Sequence, residues 1–203
     1  MRLFVALDID EAIRQRIAVF VEGVRGFAPE ARWVRAESLH ITLKFIGEWP
    51  GEKLEILKEK LAEVSAPAIP LEIRGSGFFP NAKSARVFWI GISGGEPLAT
   101  LAGSVDAGLT KLGIARETHA FSPHLTLARG GGGSGTPGQM KDDRRNIRFA
   151  KLQEKLAALP PPEFGTMTAR EFFLYESKLS PKGSQYSKLA RFVLGGNPAQ
   201  PSS

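Results

Sequence analysis

The sequence predicts an α+β fold built from antiparallel sheets, and three observations carry this prediction. Strand-like and helix-like apolar runs follow one another along 203 residues, but without the regular strand–helix–strand order of a parallel sheet. A His-x-Thr-Leu tetrad occurs twice, at residues 40–43 and 124–127, which is typical of a duplicated unit. The length suits one sizeable domain or two small lobes that share a core.

The first half of the chain opens with a strand and a helix. Residues 3–7 form an apolar run of strand length. Asp8 or Asp10 then offers an N-cap, and apolar residues recur at helical spacing until Gly26. Three further elements complete this half, namely an edge strand at 33–34, the first tetrad strand at 39–46 and a helix that starts at Pro50.

The elements of the second half follow from the same two apolar periodicities, of about 2 for strands and 3.6 for helices. Gly and Pro clusters separate them, because these residues favour turns. The predicted elements are a strand from residue 71, a turn at 75–80, strands at 86–92 and 121–128, helices at 97–112 and 147–159, and two last strands at 166–175 and 187–194.

We expect one domain over residues 1–194, followed by a flexible tail at 195–203. Within the domain, residues 130–138 are mostly Gly with Ser, Thr and Pro, which predicts a flexible loop because such residues pack little and retain backbone entropy. The run lacks the Gly-Lys-Ser/Thr ending of a phosphate-binding P-loop.

The composition excludes several classes of chemistry. There is no cysteine, so disulfides, thiolate catalysis and cysteine-based zinc sites are impossible. No carboxylate lies at ligand spacing from either tetrad, so we predict neither a metal site nor a cofactor. The net charge of +6 and a pI of about 9.7 favour an anionic partner such as nucleic acid, although a merely soluble basic surface explains the charge equally well.

The N-terminal apolar run does not fit a secretory signal. Asp8 and Asp10 interrupt it, and no small-residue cleavage site follows. No stretch approaches the ~18 apolar residues of a membrane span. We therefore expect a cytoplasmic protein without membrane association.

The tetrads place the same side chains on the same strand face in both halves. Side chains alternate along a strand, so His40 shares a face with Thr42, and His124 shares a face with Thr126. The leucine and isoleucine neighbours take the opposite, apolar face. Two such strands could line opposite walls of a cleft and present two imidazoles and two hydroxyls to it.

Strict alternation makes further predictions for the residues that follow the tetrads. Lys44 falls on the face of His40, so it either approaches the rim of the cleft or is solvated. Phe45 falls on the opposite face and is expected in the core. Arg129 faces away from His124, unless the strand ends or bulges near Ala128.

With these residues in place, the chain resembles the 2H phosphoesterase superfamily. Within it, the sequence is most similar to the RNA 2′,3′-cyclic phosphodiesterases, also called LigT-like or 2′,5′-RNA ligase-like proteins. The resemblance covers nearly the whole chain, and the glycine-rich run after Arg129 lies outside it. The segments that carry it are residues 2–7, 39–47, 77–80, 86–91, 121–129 and 175–186.

The resemblance implies a specific architecture and activity. Members of that family have two pseudo-symmetric lobes, each an antiparallel sheet with outer helices, and an active-site cleft between them. The implied reaction is hydrolysis of terminal 2′,3′-cyclic phosphate to a 2′-phosphomonoester, with reversible 2′,5′-RNA ligation at the same site. The implied partner is RNA with cyclic phosphate ends, such as tRNA fragments, and we expect a monomer without an obligate protein partner.

The residues of the tetrads suit this chemistry. Histidine titrates near neutrality, so one neutral imidazole can take a proton from water while a charged one protonates the leaving oxygen. The hydroxyls of Thr42 and Thr126 can donate to the phosphate oxygens. By resemblance, His40 is the proton donor, His124 is the acceptor and Arg129 binds the phosphate.

Two alternatives remain at this point. The same fold could act on a small cyclic nucleotide, or the chain could be a nucleotide-binding module without turnover, although both histidines and both threonines are intact. A serine hydrolase is disfavoured because there is no Gly-x-Ser-x-Gly elbow. Phe78 and Phe79 could stack on a base or pack between lobes, and no role follows for His119 or Tyr186.

Overall fold

A computed structural model of the protein describes residues 1–130, 143–180 and 183–195. Over these residues the chain forms nine strands and four α-helices. The strands are β1 (Arg2–Leu7), β2 (Ala31–Trp33), β3 (Ile41–Glu48), β4 (Ile69–Phe79), β5 (Val87–Ser93), β6 (His124–Gly130), β7 (Glu163–Ala169), β8 (Glu171–Ser180) and β9 (Gly183–Val193). The helices are α1 (Glu11–Val24), α2 (Leu54–Ala62), α3 (Gly95–Thr110) and α4 (Asp143–Ala157).

The strands form two antiparallel sheets, which confirms the predicted α+β class. The first sheet has the order β3-β1-β8-β9, and the second has the order β2-β6-β5-β4-β7. Each sheet takes strands from both halves of the chain. The two tetrad strands occupy comparable places, because β3 pairs with β1 and β6 pairs with β5, but β6 gains an additional neighbour in the short edge strand β2.

One continuous apolar core lies between the helices and the inner faces of both sheets. Helix α1 follows β1 of the first sheet but packs on β7 of the second, where the Arg16 guanidinium donates to the Phe164 carbonyl at 2.8 Å and Phe20 meets the Phe164 ring edge-on. A smaller apolar cluster lies on the opposite face of the first sheet and contains Phe4, Ala6, Phe173 and Tyr175. Among the described residues, every helix falls short of the length or the hydropathy of a transmembrane segment.

Two of the predicted elements, the turn at 75–80 and the strand at 166–175, are wrong. Residues 75–80 were expected to turn, but β4 continues to Phe79 and pairs with β5, and Gly77 leaves the space that the Trp89 ring of β5 occupies. A Cβ at Gly77 would approach that ring to 2.3 Å. The C-terminal segment contains three strands rather than two, because the chain passes at Arg170 from β7 in the second sheet to β8 in the first. Residues 131–138 of the glycine-rich run and residues 196–203 of the tail lie outside the described residues.

Candidate active site

A cleft of about 280 Å³ lies between the two sheets, and residues from both tetrads line it. The first sheet contributes His40, immediately before β3, and Thr42 within it. The second sheet contributes His124 and Thr126 from β6. The remaining lining residues are Val34, Ser38, Phe45, Phe79, Val87, Arg129 and Tyr186. The structure therefore brings all five sequence-predicted site residues to one cavity.

The two imidazoles are held in the same way. Nδ1 of His40 lies 2.8 Å from the Ser38 carbonyl oxygen, and Nδ1 of His124 lies 2.7 Å from the Ser122 carbonyl oxygen. A carbonyl oxygen only accepts, so Nδ1 must carry the proton in each ring. In the neutral form of each histidine, Nε2 is then the nitrogen that can accept a proton.

The sequence contains a signal for this arrangement that the tetrad alone does not include. A serine stands two residues before each histidine, so the repeated pattern is Ser-x-His-x-Thr-Leu. The bond uses the backbone carbonyl of the serine rather than its hydroxyl. The contact therefore depends on the backbone conformation, which is the same in both copies, and not on the serine side chains.

Aromatic side chains surround His40. Its ring centroid lies 4.7 Å from that of Phe4, and Tyr186 meets it edge-on at 5.1 Å. Phe4 in turn stacks on Tyr175 at 5.1 Å. These contacts join His40 to the small apolar cluster on the cleft face of the first sheet and restrict rotation of its ring.

His124 has fewer aromatic neighbours. Phe79 meets it edge-on at 4.9 Å, and Trp89 lies 6.5 Å away. The Trp89 ring is clamped over Gly77, and its indole N–H is buried without a hydrogen-bond partner in the described residues. Phe79 and Trp89 thus support His124 by packing rather than by polar contacts.

Burial lowers the pKa of both histidines, because the charged imidazolium is solvated less well away from water. The carbonyls that accept from Nδ1 oppose this shift, and the guanidinium of Arg129 adds to it at both rings. The net result for each histidine is a pKa below its ordinary value. Asp8 raises the pKa of His40 only, so the two imidazoles differ in their electrostatic surroundings.

Each tetrad strand contains a β-bulge at the leucine that ends the tetrad. Across β1 and β3, Ala6 is opposite Thr42 and Val5 is opposite Lys44, so Leu43 has no partner. Across β5 and β6, the same shift in register leaves Leu127 as the additional residue. A bulge resets the alternation of side chains. Two consecutive buried residues follow each threonine, and the next side chain returns to the cleft face.

The bulges decide the positions of Arg129 and Phe45. Arg129 lines the cleft, as the sequence allowed for a strand that bulges near Ala128. Phe45 occupies the equivalent place in the first tetrad strand, and its expected position in the core is wrong. It is 65% exposed and also lines the cleft. The cleft therefore has a cationic residue on one wall and an apolar ring at the equivalent position of the other.

Lys44 does not reach the cleft or the solvent, contrary to both sequence-based expectations. Its side chain is 5% exposed, and its ammonium group lies 2.6 Å from a carboxylate oxygen of Asp106 in α3. It also donates to the Ala115 carbonyl at 2.7 Å. Burial opposes ionisation of Asp106, but the bonds from Lys44 and from the Glu117 amide prevail, so the Asp106 pKa is lowered.

A second charged cluster fixes the segment that leads into His40. The Arg14 guanidinium of α1 donates to Asp8 at 2.5 Å and also to the carbonyls of Ala36 and Leu39. Asp8 is bonded at 2.5 Å by Lys188 of β9 as well. The segment before His40 has only a short 3₁₀ turn of its own, so the bonds from Arg14 fix its path and thereby the position of the His40 backbone.

The residues whose roles the sequence leaves undecided lie in three different places: the core, the cleft and an exposed loop. Phe78 packs against Phe88 and Phe149 in the core, whereas Phe79 and Tyr186 line the cleft. The His119 side chain is 90% exposed in a loop next to Glu117. Among the described residues, no group of three or more His, Asp or Glu side chains is arranged to hold a metal ion.

Comparison with known protein families gives two matches to one model. Residues 7–89 and residues 90–186 each match the family described as LigT like phosphoesterase. The first match contains His40 and the second contains His124. The duplication visible in the sequence therefore coincides with a repeat of this family.

Individual relatives match over almost the whole chain. An RNA 2′,3′-cyclic phosphodiesterase of Archaeoglobus fulgidus is 38% identical over 192 residues, which is 95% of this chain and 99% of the relative. The protein of the same name from Methanothermobacter thermautotrophicus is 31% identical, over 96% of this chain and 99% of the relative. The crystal structure of E. coli LigT complexed with 3′-AMP superposes with a TM-score of 0.74 at 28% identity, over 96% of this chain and 98% of the other.

Proposed function

Because the chain belongs to the LigT-like phosphoesterase family, we propose that it is an RNA 2′,3′-cyclic phosphodiesterase that yields a 2′-phosphomonoester. One observation carries the proposal: two imidazoles with identical Nδ1-to-carbonyl bonds line the same cleft. The names of the two archaeal relatives support the choice of substrate. A nucleotide-binding module without turnover would have no need for two such imidazoles.

The proposed reaction is acid–base catalysis by the two histidines. Neutral His124 accepts a proton from water at Nε2, and the resulting hydroxide attacks phosphorus. The bond between phosphorus and the ribose 3′ oxygen breaks, and protonated His40 donates its Nε2 proton to that oxygen. The 2′ ester bond remains, and the two histidines have exchanged protonation states. Burial lowers the pKa of His40 overall, and the Asp8 carboxylate partly opposes that shift at His40 alone.

The remaining predicted residues stabilise the phosphate. The hydroxyls of Thr42 and Thr126 line the cleft beside the two imidazoles and donate to the non-bridging oxygens. Arg129 offers a forked set of donors to the same group. We propose that these groups supply the charge stabilisation that a metal ion provides in other phosphodiesterases, so chelation with EDTA leaves the rate unchanged.

The same site can catalyse 2′,5′-RNA ligation. A ribose 5′ hydroxyl that takes the place of the attacking water loses its proton to the same base, and the bond to the 3′ oxygen breaks as in hydrolysis. Water competes with that hydroxyl at all times, so ligation requires two RNA ends that are held together. Hydrolysis is therefore the main activity we propose.

The deciding experiment uses an RNA that ends in 2′,3′-cyclic phosphate, with a 2′,3′-cyclic mononucleotide as comparison. The wild-type protein should convert the RNA to the 2′-phosphomonoester, and chromatography against both isomers identifies the product. A 3′-phosphomonoester would overturn the stated bond cleavage. Turnover of the mononucleotide alone would make the protein a phosphodiesterase of small cyclic nucleotides.

A further inference from the structure

Two arginines lie side by side at the edge of the cleft. In the pairing of β2 with β6, Arg32 is directly opposite Arg129. Residues directly opposite each other in antiparallel strands point to the same face, and their Cβ atoms are about 4.5–5.5 Å apart. Arg129 lines the cleft, so Arg32 projects from the cleft face of the second sheet as well.

The neighbours of Arg32 confirm this orientation. Ala31 is buried, and Trp33 packs edge-on against Phe88 in the core, with its indole N–H bonded to the Ala28 carbonyl at 3.0 Å. Arg32 lies between them and is exposed, so it points to the other face. Val34, two residues further along, lines the cleft. Arg32 thus continues the cleft wall outward, onto the edge strand of the sheet.

This pair of charges is not compensated within the protein. Like charges directly opposite each other destabilise a sheet. Within residues 1–130, 143–180 and 183–195, the guanidinium groups of Arg32 and Arg129 form neither an ion pair nor a hydrogen bond, whereas that of the nearby Arg35 lies 3.5 Å from the Glu37 carboxylate. The side chain opposite Arg129 on its other flank is the apolar Val87. An arrangement that costs stability and lacks a carboxylate partner is suited to an anion supplied from outside.

We propose that Arg32 binds the phosphate group one nucleotide before the cyclic phosphate, and so gives the site a preference for RNA over mononucleotides. The inference rests on the proposed function, in which Arg129 holds the reacting phosphate. Arg32 is the next cation outward, on an edge strand of three residues beyond which the second sheet has no further strand among the described residues. A single strand can therefore leave the cleft over β2, with its backbone following the two guanidinium groups.

The test compares two substrates in three proteins. The substrates are a 2′,3′-cyclic mononucleotide and a short RNA with the same terminal nucleotide and a cyclic phosphate. The proteins are the wild type, Arg32→Gln and the control Arg25→Gln, which removes the same charge from the end of α1, away from the cleft. Arg32→Gln should raise KM for the RNA about tenfold and leave the mononucleotide unaffected. Arg25→Gln should change neither.

Two additional readouts separate phosphate binding from a structural role. Replacement of the penultimate phosphate by a neutral methylphosphonate should raise the KM of the wild type by the same factor of about ten. It should not raise the KM of Arg32→Gln any further. The slope of log Kd for the RNA against log salt should fall by about 0.7 in Arg32→Gln, as for one lost single-strand contact. The melting temperature should be unchanged or slightly higher, because the repulsion with Arg129 is removed.

The outcomes distinguish this inference from the function on which it rests. An Arg32→Gln protein that loses activity on both substrates equally, or on neither, would overturn the role of Arg32 while the phosphodiesterase stands. A wild-type protein that hydrolyses neither substrate would overturn both. Arg32→Lys should recover part of the loss on RNA, because the charge is retained but the fork is not.

Discussion

His40 and His124 share the Nδ1-to-carbonyl bond but have different neighbours, and both should be essential. We expect His40→Ala and His124→Ala each to lower kcat about 10²–10⁴-fold, the usual contribution of a general acid or base. The fold should survive, because both side chains point into a cleft rather than the core. Steady-state kinetics with circular dichroism tests this, and the exposed His119→Ala is the matched control. A near wild-type kcat in either folded variant would contradict the two-histidine mechanism.

The electrostatic surroundings of the histidines predict where activity depends on pH. At low pH both imidazoles are charged and the base is lost, and at high pH both are neutral and the acid is lost, so the rate follows a bell. Both pKa values are lowered in the free protein, so the bell for kcat/KM should lie on the acid side of the ordinary histidine value of ~6.5. Bound phosphate favours the charged rings and should move the kcat bell to higher pH.

Asp8→Asn in the same experiment tests which histidine is the acid. The carboxylate raises the pKa of His40, so its removal should move the alkaline limb of kcat/KM to lower pH if His40 is the proton donor. The limbs belong to the coupled pair, so the direction of movement is the readout rather than an absolute value. Movement of the acid limb alone would show that His40 is the base and His124 the proton donor.

At the scale of the strand, the bulges explain which site residues can be predicted from sequence. His40, Thr42, His124 and Thr126 precede the bulge, so simple alternation places them correctly. Beyond it, alternation fails, because a bulge is defined by pairing with the neighbouring strand and not by local composition. The apolar doublet Leu127-Ala128 is a visible signal of the second bulge. In the first bulge the residue at the position of Ala128 is Lys44. Its partner is Asp106 of α3, far away in sequence, so no apolar doublet signals this bulge.

The first bulge turns Phe45 outward, and this orientation predicts a role in substrate binding. An exposed ring at the cleft can stack on a base, which contributes ~1–3 kcal/mol. Phe45→Ala should raise KM about tenfold for a substrate with a base and change the free energy of unfolding little, because the ring is 65% exposed. Leu179→Ala, which removes an apolar side chain that is 76% exposed and lies outside the cleft, is the control. A large loss of stability in Phe45→Ala would assign the ring to packing instead.

The buried pair of Lys44 and Asp106 ties the tetrad strand β3 to helix α3. Lys44→Met should lower the free energy of unfolding by about 1–3 kcal/mol, because the Asp106 carboxylate, whose side chain is 15% exposed, then keeps only the exposed Arg116, 4.0 Å away, as a cationic partner. The double variant Lys44→Met/Asp106→Leu should recover most of the loss, since no charge is left in the protein interior. Urea unfolding of the three proteins measures this. Equal stability of single and double variants would show that the charge itself is not the cause.

For the whole molecule, the sequence predicts the duplication but not how the two copies are interleaved. Periodicity identifies strands, whereas strand partners depend on packing across long separations. Each half contributes to both sheets: β8 and β9 from the C-terminal end complete the first sheet, and β2 and β4 from the first half flank strands of the second. The cleft therefore lies between sheets that share a chain and a core, and not between two independent repeats.

This interleaving predicts that neither copy folds alone. A fragment of residues 1–93 retains only the β3–β1 pair of the first sheet, and it lacks β6, the partner to which β2 is hydrogen-bonded. In this fragment the buried face of α1 also lacks β7, the strand on which that helix packs. We expect the fragment to be unfolded by circular dichroism and amide exchange, and co-expression with residues 94–203 to restore a compact, active complex. A folded fragment would mean that each copy is a stable unit and that the exchange of strands between sheets adds little stability.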